Sequence, residues 1–153
     1  TQLDKSLQQA GLAAPEWIDE GARELYDSAV RDGWSADGAP GFVYTVDWEG
    51  APVVRERMHW VAAEAVGAAA VLWKRTKQDQ YAADYQRWWD YIGEYHLDPV
   101  GGSWWHELGP DNTPSRTVWE GKADIYHALQ ATLFARLPLQ PALAASLAAG
   151  NLG

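Results

Sequence analysis

Between Trp60 and Arg75 the chain is rich in alanine, carries Val61, Ala65, Ala68 and Leu72 in helical register, and has few polar residues before Lys74. A helix with so little polar surface has to be covered nearly all round, because no face of it prefers water. Its neighbours have the opposite character. From Pro15 to Gly33 apolar residues recur at 17, 18, 22, 25, 26, 29 and 30, with Pro15 at the expected first turn and Glu16, Asp19 and Glu20 near the positive end. Asp79 to His96 reads as a further helix with Tyr81, Tyr85, Trp88, Trp89, Ile92 and Tyr95 on one broad aromatic face. Apolar helices alternating with two-faced ones are what a ring of helical hairpins shows, the apolar members inside.

The rest of the chain fits between these helices. Leu3 to Leu12 carries one apolar stripe and reads as the tail of a helix that stops near Gly11. The turn-forming run from Ser35 to Gly41 leads into Phe42–Trp48 and then Pro52–Arg55, two extended runs that predict a short β-hairpin near 42–55. Gly101 and Gly102 open a long arm near 101–121, in which Trp104 to Leu108 forms a brief strand before the Pro110-Asp111-Asn112 turn. Arms of this length are usually functional. Helices over Asp124–Leu137 and Pro141–Ala149 follow, and the closing Gly150–Gly153 has no structural assignment. The expectation is an all-α chain, one domain's worth over 1–153, with at most three helical hairpins and an exposed inner wall.

Charge and composition narrow the function. With 12 Lys and Arg against 21 Asp and Glu, the net charge of -9 repels phosphates and anionic lipid headgroups, so neither nucleic acid nor a membrane surface is expected as a partner. No segment approaches the roughly 20 apolar residues of a membrane span, and no signal-peptide pattern opens the chain. There is no cysteine, which removes disulfides, thiolate metal sites and a cysteine nucleophile together and fits a cytoplasmic location. Ten Trp and seven Tyr against two Phe is an unusual choice for a core that needs only bulk. Flat rings with a polar edge stack on the C–H faces of sugars, and they also pack helices; composition leaves both readings open.

The four histidines differ in setting. His96 ends a helix, where an imidazolium meets the helix dipole favourably, and reads as structural. His106 lies in the arm beside Trp104, Trp105 and Glu107, either as a substrate contact or as a plain strand residue. His59 stands between the hairpin and the apolar helix, a junction that presents side chains at the mouth of a barrel. His127 follows Asp124, which can cap a helix and so place His127 in its first turn. A helix N-terminus disfavours imidazolium, leaving a neutral ring able to accept a proton as a general base does. Glu64, one turn after Trp60 and among alanines, needs a donor or must stay protonated; Arg55 and Arg57 are structural partners for it, substrate or a catalytic histidine the functional ones. No metal-ligand spacing, phosphate loop or nucleophile elbow is present, and neither a metal nor a cofactor is expected.

Taken together, Gly41–Trp48, Arg55–Trp60 with Ala63–Ala65, Gly102–Glu107, Trp119–Lys122 and Asp124–Gln130 resemble the later half of enzymes of the N-acylglucosamine 2-epimerase superfamily. The pattern is nearest to bacterial mannose and sulfoquinovose isomerases. The resemblance runs from about Trp17 to Pro138 and implies the C-terminal part of an (α/α)6 barrel. It implies metal-free interconversion of a mannose-like aldose and a fructose-like 2-ketose through a cis-enediol(ate), with His127 taking the proton at C2. Trp60 and Glu64 would border the pocket, and Arg57 and His59 would stand at its mouth as substrate contacts. The second histidine of that mechanism belongs to a His-x-x-Glu-Trp motif upstream of Thr1, so this chain alone is expected to be inactive without a complementary N-terminal portion, or to pair with copies of itself.

Other readings remain. Return of the proton to C2 would make the parent a 2-epimerase of an N-acylhexosamine or related sugar. A non-catalytic half-barrel could bind sugar on its Trp-rich wall. A glycoside hydrolase would need two carboxylates across a cleft, and only Glu64 and Glu107 could be named for it, without supporting spacing.

Overall fold

The computed structural model describes residues 2–150, so the closing Asn151–Gly153 lies outside the described residues. Its centre is the alanine-rich segment, which forms helix α3 (His59–Thr76) and buries Ala62, Ala63, Val66, Gly67, Ala69, Ala70 and Leu72 around its circumference. Two helices flank it: α4 (Asp79–Tyr91) and α5 (Ile125–Phe134). Gly67 permits the close approach of α5, because a Cβ there would come within 2.9 Å of the Phe134 ring. Lys74, near the end of α3, donates to the carbonyls of Phe134 and Leu137, which the end of α5 leaves without helical partners.

Helices α1 (Gln2–Gln9) and α2 (Trp17–Gly33) precede this centre. Pro15 stands just outside α2 rather than in its first turn; its carbonyl accepts from Ile18 N–H. Tyr26 ties α2 to α4, donating to Asp84 Oδ2 (3.0 Å) and accepting from Trp88 Nε1 (3.2 Å). Trp34, Phe42 and Trp88 pack with ring centroids 4.4–5.1 Å apart, so part of the tryptophan surplus serves helix packing. Elsewhere α2 stands off α3 across an apolar cleft of about 670 Å³, and Trp17 and Leu25 on α2 are exposed.

The expected hairpin is present as β1 (Thr45–Val46) and β2 (Pro52–Val54), antiparallel, with Asp47 accepting from the Glu49 and Ala51 amides at the turn. A second sheet is not foreseen by the sequence. Strands β3 (Arg57–Met58), β4 (Glu107–Leu108) and β5 (Pro114–Ser115) lie in that order, antiparallel. The helix expected to reach His96 keeps that length, but its last turn, Ile92–His96, widens to a π-helix. Helix α6 (Leu143–Ala149) follows α5, and no described helix is long and apolar enough to cross a membrane.

The arm from 101 to 121 is anchored rather than loose. Glu107, completely buried, accepts from the amides of Thr117, Val118 and Trp119 and from the Thr117 hydroxyl at 2.7–2.9 Å. Burial raises its carboxyl, but these donors outweigh burial and hold it at about 2. At the other end Lys122 forms an ion pair with Asp98 and lies 4.2 Å from the Trp105 ring centre.

Candidate active site

The β3–β4 pairing sets the geometry. Met58 faces Glu107, and one step further along the ladder the His59 amide donates to the His106 carbonyl (3.0 Å). This register brings two histidines 47 residues apart to ring centres separated by 4.9 Å. Because His59 is also the first residue of α3, it lies beside the start of α5.

Asp124 caps α5 as the sequence predicts, accepting the His127 backbone N–H at Oδ1 (3.0 Å). It also does what capping alone does not require. The same carboxylate lies 2.9 Å from His127 Nδ1 and 3.1 Å from His59 Nε2, joining both rings through one group. Burial opposes its ionisation, yet the His127 amide and ring and the His59 ring hold its carboxyl down at about 2. A carboxylate only accepts, so the His127 ring proton sits on Nδ1 and Nε2 carries the lone pair. Nε2 lies 3.7 Å from Glu64 Oε1, close enough for that charge to stabilise a proton taken up there.

Burial pushes the His59 imidazole below its ordinary range, against the pull of the His106 carbonyl and Asp124. The ring therefore has one proton for two acceptors, Asp124 at 3.1 Å and the His106 carbonyl at 3.3 Å from Nδ1. The charged acceptor takes it. Thus His59 Nε2, the Asp124 carboxylate and His127 Nδ1 place three metal-capable atoms within 4.8 Å of one another, an arrangement hidden from sequence spacing by the 65 residues between His59 and Asp124.

Aromatic rings surround this group. Trp60 lies 6.1 Å from the His127 ring at a 34° tilt, Tyr126 lies 3.9 Å from it, and Trp119 stacks on His106 at 6.1 Å. Trp119 and Tyr126 are about half exposed. Buried His106 Nδ1 has no hydrogen-bond partner among the described residues. The apolar cleft touches the site at its edge: Trp60 and Glu64 line it, whereas His127, His59 and Asp124 do not.

The structure therefore brings His127, His59, His106, Trp60 and Glu64 together, and adds Asp124, which sequence reasoning treats only as a cap. Its signal was present as an Asp-x-x-His spacing that puts both side chains on one turn. Glu64 is exposed rather than buried among alanines, and its neighbour is His127 rather than Arg55 or Arg57.

Arg57 is placed otherwise than expected. Its side chain is 1% exposed and donates to Asp37 (2.7 Å), to the carbonyls of Pro40 and Ala39 and to that of Arg55, so it is sealed away from a substrate by the 37–41 turn. Gly41, with φ of +109°, makes room for it, since a Cβ there would strike the Arg57 side chain and Tyr91. His96 also differs from its reading: it is fully buried, burial pushes it down to about 4, and it is neutral rather than an imidazolium at a helix end. Its ring lies 6.3 Å from Trp104, which in turn lies 6.5 Å from His59, so all four histidines form one connected aromatic group.

The family model of N-acylglucosamine 2-epimerase (GlcNAc 2-epimerase) matches residues 2–131. The chain belongs to this family. Within the family, it is 47% identical over 146 residues to D-mannose isomerase of Pseudomonas cannabina pv. alisalensis, covering 95% of this chain and 35% of that protein. To D-mannose isomerase of Thermobifida fusca it is 51% identical over 135 residues, covering 88% of this chain and 33% of that one. The chain thus spans about a third of the length of the curated relatives it matches. Its fold matches a crystal structure of D-mannose isomerase with a TM-score of 0.74 at 24% identity, over 88% of this chain and 34% of that one.

Proposed function

We propose that the protein containing this chain is an aldose–ketose isomerase acting on a mannose-like monosaccharide, with His127 as the base at C2. The hydrogen-bonded contact between Asp124 and His127 carries the reading. It fixes the ring tautomer and leaves Nε2 as the proton acceptor, in the way a carboxylate orients a catalytic imidazole. The D-mannose isomerase relatives supply the substrate class.

The chemistry needs little else from this chain. A C2 proton is acidic only beside the C1 carbonyl of the open-chain sugar, so the base must meet that form. His127 Nε2 takes the proton, the electrons form the C1–C2 double bond of a cis-enediol(ate), and Glu64 holds the charge gained by the ring. Return of a proton to C1, with an O–H proton passing from O2 to O1, completes the ketose. Trp60 and Tyr126 offer ring faces beside Nε2 for the C–H surface of the sugar. In this reading α3 and α5 form inner wall and α2 and α4 outer wall of part of an (α/α)6 barrel. The apolar cleft between α2 and α3 then receives the remainder of the barrel, which supplies the second acid/base group.

Loss of C2 proton exchange from mannose in D2O on His127→Ala, measured in the protein containing this chain, is the expected result; undiminished exchange refutes the assignment. Product analysis separates isomerisation from 2-epimerisation, in which the proton returns to C2 and no ketose accumulates.

A further inference from the structure

We propose that His59 Nε2, the Asp124 carboxylate and His127 Nδ1 form a binding site for a divalent transition ion of the Zn²⁺ class, and that occupancy of this site switches off proton transfer at His127. The switching half rests on the reading of His127 as the base; the binding half does not.

The ligand set is that of a zinc site with an open position: two imidazole nitrogens and one carboxylate. Tetrahedral Zn²⁺ with bonds of about 2.0–2.1 Å places neighbouring ligand atoms about 3.3 Å apart. Here Asp124 Oδ2 is 3.1 Å from His59 Nε2 and 2.9 Å from His127 Nδ1, and all three ligand atoms lie within 4.8 Å of one another. The ion therefore needs a few tenths of an ångström of spreading along the two carboxylate edges and closure of the edge between the ring nitrogens toward about 3.3 Å. Asp124 supplies a carboxylate oxygen to both ring nitrogens, and the chain as a whole carries -9. Access comes from the side of Asp124 and His127, whose side chains are 35% and 14% exposed, while His59 is sealed behind them.

A second observation points the same way. Metal-bound histidines almost always donate their other ring N–H to a carbonyl or carboxylate, which fixes tautomer and ring orientation. Both acceptors are already in place. His59 Nδ1 faces the His106 carbonyl at 3.3 Å, and His127 Nε2 faces Glu64 Oε1 at 3.7 Å. Without a metal, His59 has one proton between two acceptors and His127 directs a lone pair toward a carboxylate. With a metal, each ring keeps its single proton but moves it to the outer nitrogen, and both mismatches disappear.

That proton shift makes the ion an inhibitor. When a metal occupies Nδ1, the only proton of neutral His127 sits on Nε2, on the side that faces Glu64 Oε1 at 3.7 Å. The nitrogen that would take the sugar's C2 proton then has no lone pair to offer. The ion blocks the base without entering the space in which the sugar binds, so substrate does not have to compete with it for the same atoms.

Titration of the metal-stripped protein with Co²⁺, read by the visible absorption of four-coordinate cobalt, tests the site, and Zn²⁺ displacing that signal tests its preference. One ion per chain is expected, with affinity at least 10-fold weaker in both His59→Gln and Asp124→Asn. Asp124→Asn retains a helix-capping side chain, so a weakened signal there does not reflect an unravelled helix. Absence of saturable binding, or binding unchanged in these two variants, overturns the site. In parallel, C2 exchange in the unsubstituted protein should fall in proportion to Zn²⁺ occupancy and return on chelation. Occupancy without inhibition overturns the switch. If His127→Ala retained exchange, the functional reading would fall while the cobalt spectrum would still decide the site; if exchange were lost but cobalt did not bind, the metal proposal would fall alone.

Discussion

The Asp124 carboxylate holds His127 twice, taking its backbone N–H at Oδ1 (3.0 Å) and its ring Nδ1 at Oδ2 (2.9 Å). One side chain thereby starts helix α5 and sets the tautomer of the ring in its first turn. The two roles separate by substitution. Asparagine caps a helix about as well as aspartate, whereas alanine costs about 1 kcal/mol. Neither keeps a negative charge on Nδ1–H, and the asparagine amide can present its own N–H there and favour the wrong tautomer. Asp124→Asn is therefore expected to lower kcat by about 10²–10⁴-fold with little change in KM and with a smaller loss of Tm than Asp124→Ala, since it keeps the cap but not the charge that the two rings stabilise. Asp124→Ala should lower both kcat and Tm. Steady-state kinetics of the proposed isomerisation in the protein containing this chain, beside thermal melts of the two variants, check this; an Asn variant with full kcat would show that the carboxylate only caps.

The extent to which the sequence discloses this site follows from how local each feature is. Helix α3 is legible because absence of polar residues over many positions is a strong periodic signal, and the β1–β2 hairpin because turn residues bracket two β-prone runs. Strand β3 is not, since the pair Arg57-Met58 carries no alternation and becomes a strand only by pairing with Glu107 and Leu108. That pairing is what brings His59 to His106, so the clustering of the histidines was invisible along with it. The surroundings of Arg57 are hidden for a related reason: a cation next to a candidate histidine looks like a substrate contact, and its partner Asp37 lies 20 residues earlier in the chain.

Glu107 concentrates four hydrogen bonds from the 117–119 segment on two oxygens, with no exposed surface. Glutamine offers one acceptor oxygen and turns an amide toward backbone N–H groups that need acceptors. Glu107→Gln should destabilise the protein by about 3 kcal/mol, the scale for breaking a buried charged network. Hydrogen exchange should quicken first at the amides of Thr117, Val118 and Trp119. Protection unchanged at those three amides would show that the arm is held by something else.

Acid should weaken the fold in two stages. Burial pushes His96 from 6.5 down to about 4, so below pH 6.5 the unfolded chain takes up a proton that the folded protein refuses until about pH 4. Stability contributed by neutral His96 is complete above 6.5 and is lost progressively between 6.5 and 4, on the order of 3 kcal/mol. Buried His59, also lowered, acts in the same direction. Glu107, Asp98 and Asp124, held at about 2, add a second loss that begins below their ordinary values near 4 and completes as the pH approaches 2. Chemical-denaturation midpoints measured from pH 7.5 to 4 should decline, and His96→Asn should flatten that decline even if it lowers stability throughout. An unchanged slope in the variant would remove His96 as the cause.

Arg57 tests whether a residue beside the site belongs to it. Its guanidinium, 1% exposed, joins the 37–41 turn to β3 through Asp37, itself 3% exposed, and through three carbonyls. Lysine keeps the charge but cannot reproduce a planar fork with five donors. Arg57→Lys should leave carbonyls of this turn unpaired, and Arg57→Gln should also strip Asp37 of its buried partner, leaving only the half-exposed Arg55 at 3.1 Å. Stability is expected to fall by about 3 kcal/mol in the Gln variant and by less in the Lys variant. Since the Arg57 guanidinium is sealed from solvent, KM for mannose, measured under the proposed activity in the protein containing this chain, should stay within about twofold in whichever variant remains folded, a change below about 0.5 kcal/mol. A KM rise of tenfold or more without a matching loss of Tm would return Arg57 to the substrate-binding residues.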